Sequence, residues 1–396
     1  MANTLKFGNG EWYGKKDTIL AYNDENSNYK PLPFDFSRAS KATVINKDGL
    51  IEEVGNGQPR IDYKDNSEGA LLLEPSRTNL IISSNNLTSQ WGGYAFSGGN
   101  MSVSYGFLSP DGSNNATRLT YTNTSAGTGG ALLTQNLNLI ANAVYTISFW
   151  AKNVSGQKRI RLDLRNSSSA GVSGTYFELT DKWQKYSHTV TNDNATNRGV
   201  QIRIIDSEFA GNRVFDMWGV QLEQASYATS TILTQGSAVT RLAESCSQTT
   251  PDGVIGQTEG SIFSEFKSLD DVANIMLWMR KSSGGPYGDM IKLECGADNR
   301  LRFEVRASNV TSCSFISDVL PTNIYYKVAV AYKQNDFVMY LNGVQISVDT
   351  SGNVPTCSEM YVGKYIDGGI RMGVSKDLKL YNTRLSNSEL AALTQM

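Results

Sequence analysis

The chain has 396 residues, more than a single hydrophobic core of up to roughly 250 to 300 residues accommodates, so two or three domains are expected. Its 36 Lys and Arg against 38 Asp and Glu leave a net charge of -2, which provides no basic footprint for a polyanion and excludes nucleic acid from the expected partners. No apolar run approaches the roughly 20 residues that span a bilayer, and the opening MANTLKFGNGEW lacks the apolar stretch of a secretory signal; no membrane insertion is expected, and the chain reads as made and kept in solution. Gly is abundant at 36 and Pro sparse at nine, while Tyr, Thr, Ser and Asn recur between short apolar runs. That composition suits strands joined by turns, and the expected class is all-β.

In chain order, the first 33 residues are polar, with Gly8, Gly10 and Gly14 around Trp12 and a D-E-N-S-N run from Asp24 to Asn28. They read as an arm or short strands that become ordered against neighbouring copies or another protein. From Phe34 to Leu80 a specific residue order appears: Arg38, Ser40, Ala42 and Thr43, then Gly49 to Glu52, then Pro59 to Tyr63, then Leu71 to Leu80. This block resembles a segment near the N-terminus of many virion structural proteins of tailed bacteriophages. The resemblance implies that residues 1–80 form a virion-attachment and oligomerisation segment, a turn-rich collar in which Pro59, Pro75, Gly49 and Gly69 constrain the chain. Arg38, Arg60 and Arg77 are then expected as assembly residues, in intersubunit or collar salt bridges.

From Asn85 to about Ala243 short alternating strands are separated by polar turns, the pattern of a two-sheet sandwich. In RIRLDLR, Ile160, Leu162 and Leu164 point one way and Arg159, Arg161, Asp163 and Arg165 the other; in VQIRI, Val200, Ile202 and Ile204 oppose Gln201 and Arg203. Tyr145, Ile147 and Phe149 likewise alternate with Thr146, Ser148 and Trp150. The closing segment, with Trp218, Gly219, Gln221 to Glu223, Ala228 to Ser230 and Ala238 to Arg241, is similar to the carbohydrate-binding-module-like jelly rolls of phage fibres. Residues 81–245 are therefore expected to form such a jelly roll, with Glu223 and Arg241 as structural hydrogen-bonders. Residues 246–256 read as a linker, since Pro251, Asp252 and Gly253 mark a turn. Beyond it, the strand Ile262 to Phe266, the Tyr340-Leu341-Asn342-Gly343 hairpin and the strand Leu378 to Tyr381 with its L-S-x-x-E-L helix resemble a laminin-G-like, concanavalin A-like sandwich over 257–396. Asn342-Gly343 between alternating apolar residues is a hairpin signal by itself, and Ser386 with Glu389 forms a capping box.

Chemistry has few places to sit. His188 is the one histidine, on a strand face shared with Tyr186 and Val190, and no nucleophile motif accompanies it. Glycoside cleavage needs two carboxylates, yet the E-x-D-x-x-E strand of concanavalin-type hydrolases is absent, and the cluster at Glu265, Asp270 and Asp271 has another spacing. Gly284, Gly285 and Gly288 mark a loop without a phosphate-loop context. Cys246, Cys295, Cys313 and Cys357 read as buried free thiols. For binding, the polar face of Arg161, Asp163, Arg165 and Arg203 suits glycans, with Trp150 near it if the strands pair that way; Arg forks also suit the carboxylates of acidic polysaccharides. The same face is alternatively a solvated sheet surface or a subunit interface. Among the C-terminal loops holding Tyr287, Asp289, Asp298, Asn299, Tyr365 and Asp367, oxygen ligands suit calcium, with Asp289, Asp298 and Asn299 as candidate ligands and no other cofactor expected.

The expected architecture is thus an extended, turn-rich collar followed by two antiparallel β-sandwich domains. The resemblance implies a non-enzymatic head or tail fibre on the virion surface, folded in the host bacterial cytoplasm, homotrimeric, bound to capsid or tail proteins, and adhering to host-surface polysaccharide. A purely structural decoration protein and a capsule-degrading hydrolase are the alternatives.

Overall fold

The computed structural model describes residues 4–396 except 9, 11, 24–27, 97, 124–129, 166–170, 193–196, 206–210, 250–254, 270, 271, 284, 286, 287 and 365–372. The expected all-β class holds: antiparallel strands dominate, and among the described residues one short helix, Asn387–Thr394, accompanies them. The chain divides into two compact units, residues 77–241 and residues 1–76 together with 242–396. The first is thus inserted into the second along the chain, and its two ends meet, since Arg77–Asn79 pairs antiparallel with Val239–Arg241.

The inserted unit is a sandwich of two five-stranded sheets. One runs Gly92–Phe96, Gly130–Asn138, Asn197–Ile205, Arg159–Arg165, Gly171–Glu178; the other runs Gly99–Phe107, Ala116–Asn123, Arg213–Glu223, Val144–Gly156, Gln184–Thr191. The alternation of the sequence produces the core directly. Ile160, Leu162, Leu164, Val200, Ile202 and Ile204 from the first sheet meet Tyr145, Ile147, Phe149, Met217 and Leu222 from the second, all buried. Asn79, also buried, ties the entry strand down: its amide donates to the carbonyls of Val220 and Ile232, and its Oδ1 accepts from the amides of Ile81 and Leu222.

The split unit corrects the expected collar. Residues 1–76 do not stand apart from the C-terminal sandwich; Thr4–Gly8 pairs with Gly373–Tyr381, and Asn28–Ser37 pairs with Ser245–Gln248, which in turn pairs with Glu359–Val362. The expected linker therefore begins inside a strand, while residues 250–254 of it lie outside the described residues. Ile19, Phe34, Phe36, Leu71 and Leu73 share one core with Ile262, Leu277, Phe303, Val328 and Leu378. The described part of residues 1–33 forms short strands, one of the two forms expected of it, but partners more than 200 residues apart leave no trace in local periodicity, so the sheet they join is not legible in that polar stretch. The outer face of the sheet around Tyr325–Lys333 is covered by the helix, where Leu390 packs with Phe263, Ala331 and Tyr340. Ser386 caps that helix in a capping box with Glu389, and Asn342 and Gly343 both take positive φ, 47° and 83°, in the two-residue hairpin turn.

Two of the expected assembly arginines are internal to the split unit. Glu244 Oε1 accepts from Arg38 Nη1 and Arg60 Nε, both at 2.7 Å, and its Oε2 accepts from Arg60 Nη2 and from the Glu74 amide at 2.8 Å. Glu74 Oε2 takes Arg60 Nη1 at 2.8 Å, and Arg38 also donates to the carbonyls of Ser40, Gly55 and Gln58. All four side chains are essentially inaccessible to solvent. Burial works against the Arg60 charge, but the pull of Glu244 and Glu74 outweighs it and holds the guanidinium above its ordinary value. Buried charges are tolerable only when paired in this way; losing one partner of such a set costs about 3 to 5 kcal/mol. Of the two forms expected for Arg38 and Arg60, intersubunit or collar salt bridges, the contacts seen are salt bridges within the chain. Arg77, in the inserted unit, donates to the Tyr227 hydroxyl at 3.1 Å and stacks over that ring. Glu244→Gln is expected to lower the stability of the split unit by about 3 kcal/mol, read as an earlier transition in urea unfolding; a curve that overlays the parent's shows the cluster to be dispensable.

The four cysteines are free and buried. Burial pushes the thiol of Cys295 up to about 11 and those of Cys313 and Cys357 up to about 12, and raises Cys246 as well. Thiolate, the reactive form, is scarce at such values. A thiol reagent at pH 8 is expected to leave the folded protein almost unlabelled and to label four cysteines in denaturant; fast labelling of any one in the folded chain refutes the burial.

Candidate functional site

The two sheets of the inserted unit differ in what covers their outer faces. On the sheet containing Val144–Gly156, residues 225–234 lie across the outside: Thr146 Oγ1 donates to the Ala225 carbonyl at 2.9 Å, Trp150 Nε1 to Thr231 Oγ1 at 3.1 Å, and the Ile232 amide to Gln221 Oε1 at 2.7 Å. Glu223, fully buried, accepts from Thr229 and Gln221 in the same layer, and Arg241 donates to Thr229 and Ser230. Polar outer residues such as Thr146, Ser148 and Gln221 are consequently buried.

Among the described residues no comparable segment is hydrogen-bonded across the outer face of the other sheet, and strand register lays its side chains out in rows. One row is Tyr94, Leu132, Arg203, Arg161, Tyr176, read across all five strands. The next is Gly92, Thr134, Gln201, Asp163, Gly174. With about 4.8 Å between strands, the tyrosines at the two edges stand about 19 Å apart. Tyr94 is 65% exposed and Tyr176 37%, whereas Asp163 between them is only 1% exposed. Asp163 Oδ1 accepts from Arg161 Nε at 2.8 Å and its Oδ2 from Arg203 Nη1 at 2.9 Å. Arg161 Nη1 donates to the Tyr176 hydroxyl at 3.0 Å, and the guanidiniums of Arg159 and Arg161 lie over the Tyr176 ring at 4.7 and 5.2 Å. These contacts fix the edge ring and both forks in place.

Glycines shape the floor between the tyrosines. A Cβ on Gly174 would stand 1.5 Å from Asp163 Oδ1, and one on Gly199 would stand 2.7 Å from Thr134 Oγ1. Glycine inside a strand marks a place where something must come close to the backbone; here the neighbouring polar side chains use part of that room. Two buried polar atoms on this face, Thr134 Oγ1 and Arg203 Nε, have no hydrogen-bond partner among the described residues. The face therefore offers aromatic rims and a polar centre, the combination that holds a polar ring compound.

Of the residues expected here, Arg161, Asp163 and Arg203 do come together, and Arg165 follows on the same strand, described in its backbone alone. Trp150 does not join them. Its strand pairs with Gln184–Thr191 and Arg213–Glu223 in the opposite sheet, beneath residues 225–234. The aromatic role falls to Tyr94 and Tyr176, in the segments GGYAF and GVSGTYFE. The alternation of Tyr176 with the buried Phe177 hints at its outward direction, but its neighbours depend on strand order.

His188 is half-buried at the edge of the second sheet, opposite Ile147. Burial lowers its pKa from 6.5, and the charge of Asp163 partly opposes this. Folding thus favours the neutral imidazole, so its stabilising contribution is complete above about pH 6.5 and lost as the pH falls through the folded value. As the chain's single histidine, its NMR titration is expected to show a midpoint below 6.5 that drops further in Asp163→Asn; an unmoved midpoint means that the two groups are not coupled.

The expected calcium ligands do not converge. Asp289 and Asp298 flank opposite ends of the strand Met290–Cys295, roughly 20 Å of extended chain. Asp289 accepts from the Asn309 amide, and Asp298 forms a two-point ion pair with Arg302 that holds its carboxyl below the usual range. Asn299 Oδ1 accepts from Ser268. Tyr287, Tyr365 and Asp367 lie outside the described residues. Among the described residues no group of three His, Cys, Asp or Glu converges as a metal site requires.

Residues 79–206, nearly all within the inserted unit's sandwich, match the family model of a carbohydrate binding domain. No curated protein matches the sequence. Solved structures similar to part of the chain include the Ruminococcus gnavus IT-sialidase CBM40 bound to alpha2,3 sialyllactose, at 15% identity and TM-score 0.33 over 37% of this chain and 86% of that one. Domain 4 of AbnA, a GH43 extracellular arabinanase from Geobacillus stearothermophilus in complex with arabinotriose, shares 16% identity at TM-score 0.31 over 43% of this chain and 81% of that one. The enzymatically active domain of bacteriophage CBA120 tailspike protein 4 shares 12% identity at TM-score 0.28 over 36% and 21%.

Proposed function

We propose that the protein is a virion surface fibre of a tailed bacteriophage that adheres to host-surface glycans through the open sheet face of the inserted unit. The observation that carries the glycan reading is the row Tyr94, Leu132, Arg203, Arg161, Tyr176 above its glycine-bearing strands, in a segment that matches a carbohydrate binding domain. Apolar faces of sugar rings stack on tyrosines, and their hydroxyls take hydrogen bonds from Arg, Gln and Thr. The virion assignment is supported by the phage-like residue order from Arg38 to Leu80. Its further parts are head or tail placement, a homotrimer, capsid or tail partners, and adhesion without catalysis. Several copies on one particle raise effective concentration, so modest affinity at each site suffices.

Binding of the purified protein to capsulated and capsule-stripped host cells tests this. Tyr94→Ala and Tyr176→Ala are each expected to weaken binding to capsulated cells about tenfold, or ~1.4 kcal/mol, with unfolding curves preserved. Equal binding to stripped and capsulated cells refutes the glycan reading, and release of reducing ends from capsule refutes a non-catalytic role.

A further inference from the structure

We infer that the sugars held on this face carry carboxylates, an inference that rests on the glycan-binding reading and narrows it to acidic polysaccharides. Among the described charged side chains of the face, Arg159, Arg161 and Arg203 stand with Asp163 and Glu178, Arg159 directly opposite Glu178, so arginines outnumber carboxylates there by one. Asp163 is shared: a single buried carboxylate receives one donor from Arg161 and one from Arg203. The side chain of Arg203 is only 11% exposed, and its Nε is buried without a partner among the described residues. A guanidinium that is largely removed from water, with half of its compensation spent on a neighbour, favours an incoming anion over a neutral hydroxyl. A carboxylate has the planar pair of acceptors that an Arg fork matches, and the charge-assisted bonds are about twice as strong as neutral ones. Each flanking tyrosine holds a different sugar ring of the chain, and Arg203 between them reads an acid group.

The matched probes are polygalacturonate and the same polymer after reduction of its carboxyl groups, with dextran sulfate as a third arm, titrated with the full chain. Carboxyl reduction is expected to weaken binding at least tenfold. In Arg203→Gln that difference disappears while binding of the carboxyl-reduced polymer is kept, and Arg203→Lys, which leaves a cation beside Asp163, retains part of it. Equal affinity for the two polygalacturonate forms overturns the inference and leaves glycan binding standing. Dextran sulfate bound as tightly as polygalacturonate also overturns it, since any polyanion then suffices. Failure to bind either polygalacturonate form overturns it too, and the cell assay with Tyr94→Ala then decides the glycan reading separately.

Discussion

The split unit is held by an arrangement of charge that water never reaches: one carboxylate, Glu244, shared by Arg38 and Arg60, with Glu74 on the remaining side of Arg60. Each member comes from a different stretch of chain, and Glu244 arrives only after the whole inserted sandwich has been traversed. Apolar contacts tolerate small misplacements, but a buried guanidinium without its carboxylate does not, so the cluster makes correct return of the chain a condition of folding. The backbone joins in, since the Glu74 amide donates to Glu244 and the Glu244 amide to the Glu74 carbonyl at 3.2 Å. The block from Arg38 to Leu80 thereby acquires a physical meaning: Arg38, Arg60 and Glu74 close the split unit, while Asn79 near its end anchors the inserted one.

The inserted sandwich has a closure of its own. Its ends are pinned together by strand pairing at Arg77–Asn79 and Val239–Arg241. One sheet has its outer face sealed by residues 225–234, with buried Glu223 at the seal. On the opposite sheet no such layer is seen among the described residues, and there the outward positions carry Arg, Gln, Asp, Thr and Gly with a tyrosine at each edge. A sheet is a good carrier for such a site because alternate residues are locked by the core beneath them: Ile160, Leu162 and Leu164 fix the directions of Arg161 and Asp163.

Much of this was legible beforehand. Period-two alternation identified the inward faces of RIRLDLR and VQIRI, and with them Arg161, Asp163 and Arg203 as outward neighbours, because strand direction is a local property. The Asn342-Gly343 turn and the Ser386 capping box were equally readable, being fixed by the conformational preferences of a few adjacent residues. Trp150 shows the limit. Its strand was correctly expected, but which sheet it enters depends on pairing, and pairing placed it under a covering segment rather than beside the arginines. The same limit hid Tyr94 and Tyr176, and it made Ile19 look like part of an arm and Phe34 like part of a collar separate from the C-terminal sandwich.

Residue order alone therefore settled the all-β class, the two-faced strands and the chemistry available on each face, since these follow from side-chain alternation and turn preferences within a few residues. Tertiary structure decided what no local pattern carries: that the N-terminal strands complete a core with the C-terminal ones, that Glu244 is the carboxylate Arg38 and Arg60 share, and that two distant tyrosines flank the Arg161, Asp163 and Arg203 cluster. Those outcomes depend on strand order and on compensating buried charge, and both are properties of the folded chain as a whole.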